Sequence, residues 1–255
     1  MNNIYSSLAQ LDKKGTSAVL CIVTQSAGST PRKAGSKMLV HQDGTSQGSV
    51  GGGKIEYMVI EEARTMLGSN LSKTISYNLD SDLGMQCGGK MSIYFEPINS
   101  APRLLIFGAG HIGKVLATMA LKYHFNVSLI DNREEVFQNI PQGIHTMHQS
   151  FPEAYKQLEF RDNDFIVVTT YKHTYDEEIV AHVLTQPHTY IGMMASKRKA
   201  VLAKKKWEER GLALEKISKV FSPIGVSIHC ETPEEIALSI LAQLVDEFNK
   251  IQNSK

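Results

Sequence analysis

Cysteine is scarce and poorly placed for cross-linking: Cys21, Cys87 and Cys230 are the only three in 255 residues, an odd number spread along the chain. That count argues against a disulfide framework and makes a reducing compartment, the cytoplasm, the expected location. Long apolar runs are absent as well. The strongest, LLIF and IALSILAQLV, fall far short of the ~20 residues that a bilayer crossing requires. The opening MNNIYSSLAQLDKKG lacks the charged, apolar and small-residue succession of a secretory leader, so export by that route is not expected. Nor is there an excess of either charge. Lys and Arg number 27 and Asp and Glu 26, a formal +1 that gives no overall field to draw in nucleic acid or an anionic membrane. The 19 Gly and 8 Pro are too few for a collagen-like or disordered chain. What remains is a folded protein, 42% hydrophobic, of a size for one large domain or two modest ones.

The order of the segments favours two. Ile4, Leu8 and Leu11 recur at helical spacing, AVLCIV and KMLVHQDG read as strands with a turn at Asp43-Gly44, and YMVIEEARTMLG can line a helix face with Met58, Ile60, Ala63 and Leu67. Further strands are expected over 74–79 and 91–96, separated by the glycine-dense DSDLGMQCGG. EPINSAPR, stiffened by Pro97 and Pro102, serves as a linker. Beyond it RLLIF, GAGHIG, KVLATMALKYH and NVSLID form a strand, glycine turn, helix and strand, and the alternation continues through DFIVVTT, YDEEIVAHVL and TYIGMM. The expected fold is therefore α/β: a small mixed domain over 1–97, then a Rossmann-like domain with a parallel sheet over 98–255. The last helix carries its own start signal, with Thr232 as N-cap, Pro233 in first position and Glu235 placed to complete a capping box. Ala237, Ile240, Leu241 and Leu244 then make one buried stripe, leaving Glu234 and Gln243 freer to face solvent.

Chemistry concentrates at glycines. Gly108, Gly110 and Gly113 match GxGxxG after a strand, which allows a tight turn, close approach of a phosphate and close helix packing. Unpaired N–H groups at the new helix can hold an anion without a cation. Asp131 ends the next strand, where a carboxylate can accept ribose hydroxyls and disfavours a 2′-phosphate. His111 either approaches the phosphate or caps local backbone. In the first domain GSTPRKAG and GSVGGGK set Arg32, Lys33 and Lys54 beside loops suited to an oxyanion, either in one shared cleft or as two solvated turns. Lys54 is followed by Ile55, so the hydroxyl of a Walker motif is missing and ATP hydrolysis is disfavoured.

Weaker candidates remain. Cys87 in GMQCGG is either an accessible thiol or structural, while Cys21 reads as buried packing. His145 and His148 could face one metal, with no neighbouring Cys or carboxylate to complete a zinc site. His173 and Asp176 form either an acid–base pair or a helix start with an acidic first turn. Seven Lys and Arg between Lys197 and Arg210 read as a solvated helix face.

Taken in order, GSTPRKAG at 28–35, GSVGGGKIE at 48–56, CGG at 87–89, FGAGHIG at 107–113, HTYDEE at 173–178, YIGMMASKRK and SPIGVSIHCETPEEIA resemble the xanthine dehydrogenase accessory family (XdhC/CoxI-like) associated with molybdenum-cofactor insertion. The likeness covers nearly the whole chain. It implies a small N-terminal domain and a Rossmann-like C-terminal one. It also implies a noncatalytic protein that binds a molybdenum pterin cofactor, protects it and delivers its sulfurated form to an apo-molybdoenzyme such as xanthine dehydrogenase. A cysteine desulfurase as sulfur donor and self-association as a dimer are implied with it. Residue by residue, Gly51, Gly52 and Gly53 carry over to the N-terminal binding loop, Cys87 to the CGG site, and Gly108, Gly110, His111 and Gly113 to the Rossmann turn. Many members have Cys after the GGG, where this chain has Lys54; a cation can hold phosphate but cannot supply a soft sulfur to molybdenum. Two alternatives stand beside this reading. One is an NAD-dependent oxidoreductase using Gly108, Gly110, Gly113 and Asp131, with His111 or His173 in proton transfer. The other is an interaction module without cofactor.

Overall fold

A computed structural model describes residues 3–14, 16–69, 71–80, 89–99 and 101–253. They fall into two compact units, Met1–Ser100 with Ile251–Lys255, and Ala101–Lys250.

The N-terminal unit begins with α1 (Ile4–Lys14), then β1 (Ala18–Ala27), β2 (Lys37–His41), β3 (Ser46–Gly48), α2 (Gly53–Thr65), β4 (Lys73–Asn78) and β5 (Lys90–Ile98). The sheet runs β3-β2-β1-β5-β4 and its pairs are antiparallel. Alternation along β1 sends Val19, Cys21 and Val23 to one face, where they are fully buried with Ile55, Val59 and Ala63 of α2. Leu20 and Leu39 face the other way and pack with Leu11 of α1. Cys21 is thus core, and burial pushes its thiol up to about 12.

The C-terminal unit continues with β6 (Arg103–Phe107), α3 (His111–Ala120), β7 (Asn126–Asp131), β8 (His145–His148), α4 (Phe151–Gln157), β9 (Asp164–Val168), α5 (His173–Val183), β10 (Tyr190–Met193), α6 (Lys197–Glu209), α7 (Leu214–Ser218) and α8 (Pro233–Asn253). Its sheet is parallel, in the order β10-β9-β6-β7-β8. This is the doubly wound arrangement expected of RLLIF, NVSLID and DFIVV, whose residues are apolar because helices cover both faces of a parallel sheet. Leu104 to Phe107 and Ile166 to Val168 are all inaccessible to solvent. The order reverses between β6 and β9, and in such sheets the crevice beyond the strands' C-terminal ends at the reversal is where ligands settle. No helix among the described residues is long and apolar enough to cross a membrane.

The basic stretch forms α6, which buries Ala200, Ala203 and Trp207 and leaves Lys197, Lys199, Lys205 and Lys206 exposed. In α8, Ala237, Ile240, Leu241 and Leu244 are buried as their spacing predicts. Gln243 departs from expectation: its Oε1 accepts from the Tyr190 hydroxyl at 2.7 Å and the Gly225 N–H at 2.8 Å, so it clamps two distant segments instead of facing water. The capping box is complete, with the Glu235 N–H donating to Thr232 Oγ1 at 3.2 Å and the Thr232 and Glu231 N–H groups donating to Glu235 Oε2 at 2.9 and 2.7 Å. These bonds, that from Thr232 foremost, hold the Glu235 carboxyl below its usual 4.5. Its contribution is present at neutral pH and is lost as pH falls through that depressed value. Thr232→Ala should cost about 1 kcal/mol in a thermal or denaturant melt.

Candidate functional site

The glycine turn divides its three demands among three residues. Gly108 has φ +115°, and a side chain there would strike the Thr169 carbonyl and come within 2.9 Å of the Thr170 nitrogen. A methyl at Gly113 would be driven into the carbonyl oxygen of Gly108, because α3 packs hard on the turn. Gly110 is different. Its φ of −70° suits any residue, and nothing lies within 4 Å of where a Cβ would stand. Gly108 and Gly113 are therefore glycine for the fold, while Gly110 leaves open space at the start of α3. The first helical bond of α3 runs from the Lys114 N–H to the Gly110 carbonyl at 3.0 Å, so the N–H groups of His111, Ile112 and Gly113 have no helical acceptor. His111 itself is exposed.

Asp131 is fully buried, and its oxygens serve the chain. Oδ2 accepts from the Ala109 N–H at 2.7 Å and Arg133 Nη2 at 2.9 Å; Oδ1 accepts from the Arg133 N–H at 3.1 Å and Nε at 3.0 Å. The carboxylate braces the turn, and Arg133 fills the place expected for ribose hydroxyls. Hydrogen bonding to Asp131 in turn holds the guanidinium above its usual range. The same guanidinium lies 4.1 Å from the ring centroid of Tyr171, which is half exposed beyond the end of β9. Sequence reasoning missed Arg133 and Tyr171. An arginine two residues after the strand-terminal acid was the available signal.

In the N-terminal unit the glycine loops meet. Gly51 presses on Pro31 of the GSTPRKAG loop, and Gly89 lies against Ser29 and Thr30. Open space surrounds the Cβ positions of Gly52 and Gly53, and Arg32 and Lys54 are exposed. One donor of the expected oxyanion nest is already satisfied: Glu56 Oε2 accepts from the Gly52 N–H at 3.0 Å and from Ser49 Oγ at 2.6 Å. This carboxylate, in the first turn of α2, stands where an anion would be sought. Cys87 lies outside the described residues. Replacing Lys54 with Ala should weaken inorganic pyrophosphate binding by about twofold to fivefold, the range for one exposed charge, with the smaller loss at high salt. Glu56→Gln should strengthen it. Calorimetric titration at two ionic strengths checks both, and identical affinities would count against a nest at this loop.

His173 and Asp176, open to two readings in the sequence, do meet at the start of α5. Asp176 is buried, with Oδ1 accepting from the Thr170 N–H at 3.0 Å and hydroxyl at 2.6 Å, and Oδ2 lying 3.3 Å from His173 Nδ1. Burial raises the carboxyl above its usual range, opposed by the bonds from Thr170 and His173. His173 Nε2 is in hydrogen-bond contact with the Lys199 ammonium from α6. The His145–His148 metal idea fails on geometry. The pair occupies the edge strand β8, where residues three apart point to opposite faces. Among the described residues no group of three or more His, Cys, Asp or Glu could hold a metal.

Two family models match the chain: one described as the XdhC Rossmann domain over residues 104–244, the other as the XdhC and CoxI family over residues 11–78. The uncharacterized protein YqeB of Escherichia coli is 32% identical over 97% of this chain, which spans only 46% of that protein's length. A Bacillus subtilis protein named as a probable xanthine dehydrogenase subunit is 24% identical over 98% of this chain and 99% of its own. The molybdenum cofactor insertion chaperone PaoD of Escherichia coli is 34% identical over 36% of this chain and 30% of its own.

Proposed function

We propose, for a chain that belongs to the XdhC family, that it binds a molybdenum pterin cofactor as cargo, shields it and delivers it to a xanthine dehydrogenase-like molybdoenzyme. The names of two relatives, one a molybdenum cofactor insertion chaperone and the other a probable subunit of xanthine dehydrogenase, point to this accessory role. The observation that carries the reading is Gly110. It is a glycine that the backbone does not require, with empty space before it, at the N-terminus of α3 and at the order reversal of a parallel sheet. Phosphate oxygens of the cargo meet the N–H groups of the first turn of α3. Gly53, Lys54 and Arg32 in the N-terminal unit offer a separate oxyanion contact, the Gly52 N–H being taken by Glu56.

The residues present fit the phosphate part of the cargo and offer no cluster of protein ligands to its metal among the described residues. On this reading the protein's work is binding and release of the cargo. Phosphate is held by fixed backbone dipoles, which need no rearrangement to receive or surrender it. A cysteine desulfurase supplying sulfur and a second copy of the chain belong to the same reading. The pairing of Asp131 with Arg133 weighs against the NAD-dependent alternative, because the acceptor that a ribose needs is already engaged.

Anaerobic titration with cofactor released from a molybdoenzyme, followed by native mass spectrometry, tests the proposal. One molybdenum pterin per chain is the expected result. Retention of NAD in its place, or no mass increase from intact cofactor, would overturn it.

A further inference from the structure

Beside the glycine turn lies a second feature that the phosphate contacts leave unused. A cavity of about 200 Å³ is lined by His173, Asp176, Met193, Ala195, Lys199 and Leu202, and also by Glu177 and Lys206. Cavity and turn share one support: the Thr170 N–H that holds Asp176 belongs to the segment on which Gly108 closes. At about 30 Å³ per water the space equals roughly seven waters, the bulk of one small fused ring system.

Its polar end is ordered from the inside outward. Thr170 saturates Asp176 Oδ1 with two bonds, which fixes the carboxylate and aims Oδ2 at His173 Nδ1. An ionised carboxylate there places the imidazole proton on Nδ1 and leaves Nε2 as an acceptor. The Lys199 ammonium, which can only donate, stands against that Nε2. Lys206 does not compete, since Glu177 takes its ammonium at 3.0 and 2.8 Å. An acceptor and a donor are thus held side by side in a pocket also lined by Met193, Ala195 and Leu202. The complementary edge is a donor next to an acceptor, on a flat and largely apolar body. A ring N–H adjacent to a ring carbonyl has that pattern.

We infer that His173 and Lys199 form a subsite for a flat lactam heterocycle, His173 Nε2 accepting the ring N–H and Lys199 donating to the neighbouring carbonyl, with Asp176 as the positioning residue. Before binding, Lys199 satisfies Nε2; on binding, the ring inserts its donor–acceptor edge between them. The inference deepens the cofactor-handling reading, on which it rests, by assigning the end of the cargo remote from the phosphate.

The test is fluorescence titration of the full chain with free pterin and with its N3-methyl derivative, which lacks the ring donor. Pterin should bind, and Lys199→Met and His173→Ala should each weaken it by about tenfold or more, the range for one charged or oriented hydrogen bond. N3-methylpterin should lose a similar factor. Lys199 is exposed on α6, so its variant keeps the fold. Asp176→Asn supplies a readout beyond affinity. An amide N–H facing Nδ1 moves the imidazole proton to Nε2, and the nitrogen chemical shifts of His173 should exchange as affinity falls. Equal binding of pterin and N3-methylpterin, or pterin binding indifferent to both Lys199→Met and His173→Ala, overturns the subsite. If intact cofactor still binds in that case, the proposed function stands and only the subsite falls. Pterin binding with the expected losses in a chain that refuses intact cofactor overturns the function and leaves the subsite.

Discussion

Gly110→Asp is expected to leave the chain folded and to lower affinity for the phosphate-bearing cargo about a hundredfold, whereas Gly113→Ala, a smaller change three residues on, should damage the fold itself. The two glycines share a motif but not a reason. At Gly113 the added methyl meets a backbone oxygen, that of Gly108, and backbone can give way only by lifting α3 from the sheet. Overpacking of this kind costs about 3 kcal/mol or more, a large part of a domain's total stability. At Gly110 no atom lies within 4 Å of the new Cβ, and the residue is the N-cap of α3. Aspartate is among the best N-cap residues, so denaturant midpoints should match or slightly exceed those of the parent. Its carboxylate would occupy the place of the phosphate, and like charges set together cost several kcal/mol, which is the hundredfold. Calorimetric titration with the cofactor, paired with urea melts of each variant, separates the two effects. Parent-like affinity in Gly110→Asp would remove the turn from the binding site.

Legibility in the sequence followed the range of the interaction concerned. The strand, turn and helix over 103–120 were readable because RLLIF, the three glycines and the apolar face of α3 act over neighbouring residues. The capping box at Thr232 and Glu235 was readable for the same reason. The strand Ser46–Gly48 was not, since it has no apolar alternation and exists through its pairing with β2. β8 is as faint: HTMH is largely exposed and depends on β7 for its place. Among site residues, side-chain occupancy was what the sequence withheld. Glu56 folds back on the Gly52 N–H, and Lys199 reaches a histidine 26 residues away in the chain. Each is decided by tertiary neighbours that no local pattern encodes. Gln243 shows the same limit in a structural role, because its partners Tyr190 and Gly225 come from separate segments.

Asp131 carries the second large expectation, and it follows from the direction in which the carboxylate faces. Four donors converge on it, three from Arg133 and one from Ala109, while its side chain has no exposure. Asp131→Asn keeps the shape but turns one acceptor atom into an NH₂ group, which must oppose either the Ala109 N–H or the guanidinium. Breaking a buried pair from one side costs about 3–5 kcal/mol; the 28% exposure of the Arg133 side chain lets water recover part of that, giving about 2–3 kcal/mol. Because the Ala109 N–H is the point at which the turn is tied down, cofactor affinity should fall together with stability. Arg133→Ala tests the other half of the arrangement. The Ala109 bond survives, so phosphate binding should persist within a fewfold. The freed oxygens of Asp131 would then accept ribose hydroxyls, and NAD affinity, measured by titration, should rise above that of the parent. A parent-like melt for Asp131→Asn would show that the turn is held by its glycines alone. An Arg133→Ala variant as indifferent to NAD as the parent would show that Arg133 is not what closes the ribose position.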